Sequence, residues 1–275
     1  MHTPQRLPVR WQKDAQTRMN RPLTGNVAIV TGASMGIGAA TARELAWRGA
    51  RLVLAARGAD QLNAEARSII ASGGEAIAVP TDISDADQVQ RLVTKTCDAF
   101  GKVDILVNNA AIGWTKLLVH SSPEEIQQII DINLTGAILM TRAVLPGMVE
   151  RRSGAIVNVS SVCGRVAVEP LYSATKYGLR GFSLSLRRQL AGSNVSVSLV
   201  SPATIRTRMT SELNERKSEP EVVANAIAML IDRARREITV PRKHNLVIWL
   251  EQGLPSVADL GYQWRHRRGL GVKVQ

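Results

Sequence analysis

Between Asn26 and Val240 the chain alternates short β-branched runs with longer segments of helical period, and nothing else in it constrains the fold as strongly. The runs predict seven strands, over 27–31, 51–56, 75–80, 103–108, 154–160, 195–201 and 237–240. The intervening segments predict helices over about 36–47, 60–72, 85–100, 123–151, 171–191 and 221–235. Parallel strands joined by right-handed crossovers place helices on both faces of a sheet. The expected architecture is α/β: a single doubly wound domain over residues 25–240 with a seven-stranded, mainly parallel sheet. A chain of 275 residues, 45% of them hydrophobic, suits one such core.

Local start signals agree with the helix limits. Ser122-Pro123-Glu124-Glu125 offers a capping serine, a proline at the first helical position and an acid that reaches back. Ser84-Asp85-Ala86-Asp87 and Ser218-Glu219-Pro220-Glu221 read in the same way. Past Pro241 the periodicity weakens into a Trp-bearing basic tail, 241–275, that predicts no defined element and is an expected substrate-site or interface segment.

The first strand runs into Thr31-Gly32-Ala33-Ser34-Met35-Gly36-Ile37-Gly38. Three glycines between a strand and a helix allow a tight turn and a close approach of backbone to phosphate oxygens, and the helix N-terminus attracts the anion. Such a turn serves either close packing of strand on helix or phosphate binding in a Rossmann domain; with the later features, Gly32, Ser34, Met35, Gly36, Ile37 and Gly38 are expected to hold a dinucleotide pyrophosphate. Nucleotide choice falls at the end of the second strand, where an acid binds a ribose 2′-hydroxyl and an arginine accepts a 2′-phosphate. Leu54-Ala55-Ala56-Arg57 carries no acid, so Arg57 favours NADP(H), with NAD(H) as the alternative. Asp82, with Ile83 after the third strand, reads equally as an acceptor for the adenine amino group or as a helix-leading cap.

Tyr172 and Lys176 follow the glycine turn by 134 residues and lie four apart, on one helical face. An ammonium there favours the charged form of the phenol and lowers its pKa, which makes the phenol a usable acid or base. Strands four and five end in Asn108-Asn109-Ala110-Ala111 and Asn158-Val159-Ser160-Ser161-Val162-Cys163-Gly164, whose positions face the ligand crevice of a doubly wound sheet.

With these runs in this order, the chain from Leu23 to Val240 resembles the short-chain dehydrogenase/reductase family, of the kind with about 250 residues. The resemblance implies that Tyr172 is the catalytic acid/base, that Lys176 tunes it and holds the nicotinamide ribose, and that Asn133 anchors a proton relay. It implies a catalytic serine as well. Ser161 is preferred to Ser160 because it stands three before Gly164, although Ser161 to Tyr172 is eleven residues where about thirteen is usual in the family. Cofactor contacts are implied at Asn109, Ala110 and Ala111, and at Pro202, Ala203, Ile205 and Thr207, with Thr207 toward the carboxamide. Ala111 and Ala203 stand where glycine is common, and each adds one methyl.

The implied reaction moves hydride between NADP(H) and a fairly apolar alcohol/carbonyl pair, without a metal; a catalytically quiet NADP(H)-binding regulator is the alternative on the same scaffold. Similar proteins are homodimers or homotetramers built on the helices that hold Asn133 and Tyr172, which sets the expectation here. The formal charge of +12 does not redirect this reading to nucleic acid: residues 1–24 carry five basic residues against Asp14, residues 261–275 carry four with no acid, and the body between is only +4. Residues 1–24 are expected to be a basic extension, with disorder, a transit peptide or a true start at Met19 as readings. Trp249, Trp264 and the basic tail suggest either a solvated end or peripheral contact with an anionic membrane. Cys97 and Cys163 form no disulfide or zinc spacing, His2, His120, His244 and His266 form no ligand set, and no run of 18 apolar residues occurs, so a cytoplasmic protein is expected.

Overall fold

The computed structural model describes residues 23–114, 116–211, 217–241, 244–254 and 256–257. The expected extension and its Met19, and the tail with Trp264, lie outside them. All seven strands form within one sheet: β1 Val27–Thr31, β2 Arg51–Ala56, β3 Glu75–Pro80, β4 Ile105–Asn108, β5 Gly154–Val159, β6 Val195–Pro202 and β7 Glu237–Val240. Their order is β3-β2-β1-β4-β5-β6-β7, and every pairing is parallel rather than mainly so. The order reverses between β1 and β4, which opens a crevice at the strands' carboxyl ends.

Alternate residues of each strand serve opposite faces. Ala28, Val30, Leu52, Leu54 and Val157 pack beneath α1 (Gly36–Trp47), α2 (Ala59–Ala71) and α7 (Pro220–Asp232). Ile29, Val53, Leu106 and Ile156 pack beneath α3 (Ala86–Phe100), α5 (Gly136–Glu150) and α6 (Pro170–Gln189). Strands covered on both faces need continuous apolar runs, and β1 and β4 are buried throughout.

Several boundaries differ from expectation for identifiable reasons. β4 starts at Ile105 rather than Val103, because the Val27 N–H is taken by the Asp104 carboxylate at 2.9 Å and pairing with β1 begins one residue later. The predicted helix over 123–151 is α4 (Pro123–Ile130), a π turn over Asp131–Thr135 and then α5. Such widened turns are frequent at functional sites. This stretch, Pro123–Glu150, is long and apolar enough to span a bilayer by composition, yet here it lies against the sheet. Ser122 and Glu125 form the expected capping box, worth about 1 kcal/mol. The cap of α3 is Asp85 and not Ser84, and Glu219 precedes α7 without a side-chain cap. A further helix, α8 (Asn245–Gly253), forms where the sequence predicted no element.

Candidate active site

The glycine turn is held to β4 by one hydroxyl. Thr31 Oγ1 donates to Val107 O at 3.3 Å and accepts from the N–H groups of Asn109 (3.0 Å) and Ala110 (3.1 Å). Asn109 Nδ2 returns the contact by donating to Thr31 O at 2.9 Å. The sequence reading set Thr31 at the head of the glycine turn but gave its hydroxyl no role. The turn itself tolerates no side chains at key points. Gly32 has φ +65° and Gly36 φ +57°, and a Cβ on Gly38 would sit 2.1 Å from Gly32 O.

The N-terminus of α1 fits an anion. Its N-cap, Met35, makes no side-chain hydrogen bond, and its first turn holds no acid. Asp85 caps α3 and Ser122 caps α4, whereas α2, α6 and α7 share the uncapped start, so the glycines of the turn are what set α1 apart. Uncapped first-turn N–H groups need a partner, and a phosphate supplies one. Ser34 and Ile37 flank this turn half-buried, with Met35 exposed.

Arg57 is exposed at the end of β2 and makes no ion pair among the described residues. It borders a polar groove of about 560 Å³ together with Asp82, Ser84 and the α4 side of the crevice, including Gln127, Gln128 and Asp131. Asp82 Oδ1 accepts from Ser84 N at 3.0 Å and from Ser84 Oγ at 2.6 Å, so it closes a local turn while Asp85 takes the helix cap. Of the two readings of Asp82, the helix cap is therefore not what forms. Ile83 turns its side chain into the core against Gly136.

The reacting residues are brought together by β5, α6 and the π turn. Asn133 is 1% exposed. Its Oδ1 accepts from Ile112 N at 2.8 Å, and its Nδ2 donates to Ile112 O at 2.9 Å and to Thr175 Oγ1 at 3.3 Å. One amide thus ties the segment after β4 to the start of α6. Ser161 Oγ accepts from Cys163 N at 3.1 Å, and its hydroxyl acts on the Tyr172 phenol, pulling that pKa down. Ser160 instead directs its hydroxyl to Lys176 O at 3.4 Å, so of the two serines it is Ser161 whose hydroxyl acts on the phenol. Gly164 packs where a Cβ would press on Ser160 Oγ at 2.7 Å and Lys176 O at 2.9 Å, which explains the glycine at the end of that short turn.

Lys176 is 2% exposed, donates from Nζ to Val159 O at 3.1 Å, and stands 5.5 Å from the centre of the Tyr172 ring. Burial lowers its amine from 10.5 to about 8. The Tyr172 phenol is raised, first by burial and then by Cys163, with the Ser161 bond opposing and Glu169 adding a little. The sequence reading expected Lys176 to lower it. The ammonium is turned to a strand carbonyl and not to the hydroxyl, so desolvation wins. Cys163 has its thiol raised by burial beside the same groups.

Beneath this layer lies a polar network that sequence reasoning missed. Asn108 Nδ2 donates to Asn158 Oδ1 at 2.9 Å across the last β4–β5 pair and to Thr141 Oγ1 on α5 at 3.1 Å. Asn158 Nδ2 donates to Ser183 Oγ on α6 at 2.7 Å. The two adjacent asparagines at equal register were the available signal. On the far wall, Pro202 is buried at the end of β6, Ala203 N donates to Val240 O at 2.8 Å, and Ile205 points into the core. The Thr207 methyl returns to the glycine turn, 3.1 Å from where a Gly36 Cβ would stand. Ala111 is half-buried just past Ala110. No group of three or more potential metal ligands occurs among the described residues.

Comparison with known proteins agrees with this geometry. Residues 26–218 match the short chain dehydrogenase family. A 3-oxoacyl-[acyl-carrier-protein] reductase of Synechocystis sp. is 42% identical over 221 residues, 76% of this chain and 90% of that protein. The ketoacyl reductase HetN of Nostoc sp. is 35% identical over 257 residues, 88% of this chain and 90% of its own length. The crystal structure of a metagenomic short-chain oxidoreductase in complex with NADP superposes with a TM-score of 0.71 at 38% identity, covering 79% of this chain and 97% of the other. Sequence match, sheet order and crevice therefore lead to one conclusion: the chain belongs to the short-chain dehydrogenase/reductase family of oxidoreductases.

Proposed function

We propose that the protein is an NADP(H)-dependent reductase of an apolar ketone, with Tyr172 as its acid/base and Asn133, Ser161 and Lys176 as its partners. The observation that carries this reading is the convergence of the Tyr172 ring, the buried Lys176 amine 5.5 Å from its centre, and Asn133, tied to α6 through Thr175. Bound nicotinamide supplies the hydride. As a carbonyl carbon is reduced, charge develops on its oxygen, and the Ser161 and Tyr172 hydroxyls are donors already in place. Burial keeps the Tyr172 Oη protonated at neutral pH, so the phenol is ready to act as the acid of the reductive direction. Arg57, exposed and without an ion pair among the described residues, selects a 2′-phosphate.

The relatives named as ketoacyl reductases point to a 3-oxoacyl thioester as the substrate class, which refines the simple ketone expected from sequence. Free Cys97 and Cys163 fit a reducing, cytoplasmic setting. The apolar groove of about 560 Å³ on the outer faces of α5 and α6, lined by Ile138, Leu145, Pro146, Val149, Phe182 and Leu186, supports a homodimer or homotetramer through these helices. The test is consumption of NADPH with a short 3-oxoacyl thioester. Turnover by the wild type and not by Tyr172→Phe supports the reading. Equal turnover by both overturns it.

A further inference from the structure

A carboxylate on the edge strand joins three segments that lead to the candidate reacting groups. Glu237 opens β7, yet its side chain is only 7% exposed. Its Oε2 lies 2.9 Å from Arg180 Nε, its Oε1 accepts from Ser201 Oγ at 2.9 Å, and Arg165 Nε approaches Oε1 at 4.0 Å. Each partner has a telling address. Arg180 stands one turn beyond Lys176 on α6, Arg165 four residues beyond Ser161, and Ser201 immediately before Pro202. Arg165 also reaches α8, donating from Nη2 to Gln252 Oε1 at 3.3 Å, and the neighbouring Ala167 N–H meets Glu251 Oε1 at 3.5 Å.

The contact between Ser161 and Tyr172 depends on how the segment after β5 sits against α6. That segment bonds mostly to itself: the N–H groups of Gly164, Arg165 and Val166 return to Ser161 O and Val162 O. Its direct links to α6 are few: Ser160 Oγ donates to Lys176 O at 3.4 Å, and Ser173 Oγ accepts from the Val168 and Glu169 N–H groups at 3.2 Å each. The short connection between Ser161 and Tyr172 leaves few other residues to set its position. A largely buried carboxylate facing two guanidinium groups, by contrast, defines a position, because removing the charge leaves those cations uncompensated.

We propose that Glu237 is a positioning residue: through Arg165 and Arg180 its carboxylate sets the spacing between the Ser161 segment and the Tyr172 helix. The proposal rests on the reductase reading for its kinetic arm only. Misplacement of reacting groups by about 1 Å is enough to lower rates about 100-fold. In the full-length protein, Glu237→Gln keeps the shape and one acceptor oxygen but removes the charge and turns the other oxygen into an NH2 donor. It is expected to lower kcat for the 3-oxoacyl thioester about tenfold while the NADPH Kd stays within about twofold. Arg165→Ala is expected to reproduce that loss, and the double variant to be no slower than either single one, since both break the same link.

Hydrogen exchange supplies the arm that needs no turnover. Amides 164–166 are expected to lose protection in Glu237→Gln at a temperature where both proteins are folded, while those of α1 keep theirs. If the wild type reduces no ketone, the reductase reading fails, and the exchange result still decides the positioning role. Unchanged exchange at 164–166 overturns the proposal. So does an active wild type whose kcat survives Glu237→Gln, or a variant that loses only thermal stability.

Discussion

The two sides of the crevice are made of different material. On the side of β1 to β3, the surface is backbone and exposed polar groups: glycines in the left-handed region, an uncapped helix end, and Arg57 open to solvent. On the side of β4 to β6, it is buried side chains: Asn133, Ser161 and Lys176 are all removed from water. The contrast follows from the tasks proposed for each. Holding a polyanion needs N–H groups and room, whereas proton transfer needs hydroxyls whose pKa values are set by desolvation and a few aimed hydrogen bonds.

If this division is real, substitutions on the two sides fail in different ways. Tyr172→Phe removes the proton donor and is expected to lower kcat about 1,000-fold or more with the NADPH Kd within about twofold, checked by steady-state rates and fluorescence titration. A matching loss of affinity would blur the comparison. Gly38→Ala attacks the other side, because its Cβ would meet Gly32 O at 2.1 Å. It is expected to weaken NADPH about 100-fold, with the binding isotherm as the readout. A smaller and more selective effect belongs to Arg57→Ala, expected to weaken NADPH about tenfold and leave NADH unchanged, which corresponds to about 1.4 kcal/mol. Equal weakening of both nucleotides would remove Arg57 from the 2′-phosphate reading.

The smallest expected change tests burial itself. Lys176 titrates near 8 in the folded chain and near 10.5 when unfolded, so between those values the unfolded state binds more protons and stability rises with pH. Below about pH 8 the full burden of the buried charge is present, about 3 kcal/mol by the size of the shift. Without nucleotide, Lys176→Met is expected to raise Tm by a few degrees at pH 7, partly offset by losing the bond to Val159 O. That advantage fades as the pH climbs from 8 to 10.5. A constant Tm difference across this range would show that the amine is not buried as charged.

How much could be read in advance divides along the same line. The backbone-built side was almost fully legible, because glycine spacing between a strand and a helix is itself the signal. Arg57 and Asp82 were placed by their distance from strand ends, and both border one groove. The side-chain-built half was legible in identity but not in geometry. Asn133 was read as part of an uninterrupted helix, since a π turn leaves no mark in hydrophobic period. Thr31, Asn108 and Asn158 were read as turn and strand-end residues without a role of their own, because their meaning lies in partners 50 or more residues away. α8 was missed for a similar reason: its stability depends on docking Ile248, and weak local periodicity hid it.

The order of elements, the parallel sheet and the chemical kind of each crevice residue were determined by the sequence alone, since propensity, periodicity and glycine spacing act over a few neighbours. Orientation was decided by tertiary packing. Whether Lys176 aims at the phenol or at Val159 O, which serine meets Tyr172, and where Glu237 draws its arginines depend on rotamers and on burial by distant elements. The direction of the Tyr172 shift is the clearest case. Its neighbours were known from the one-dimensional pattern, but the sign was set by how much water the surrounding helices exclude.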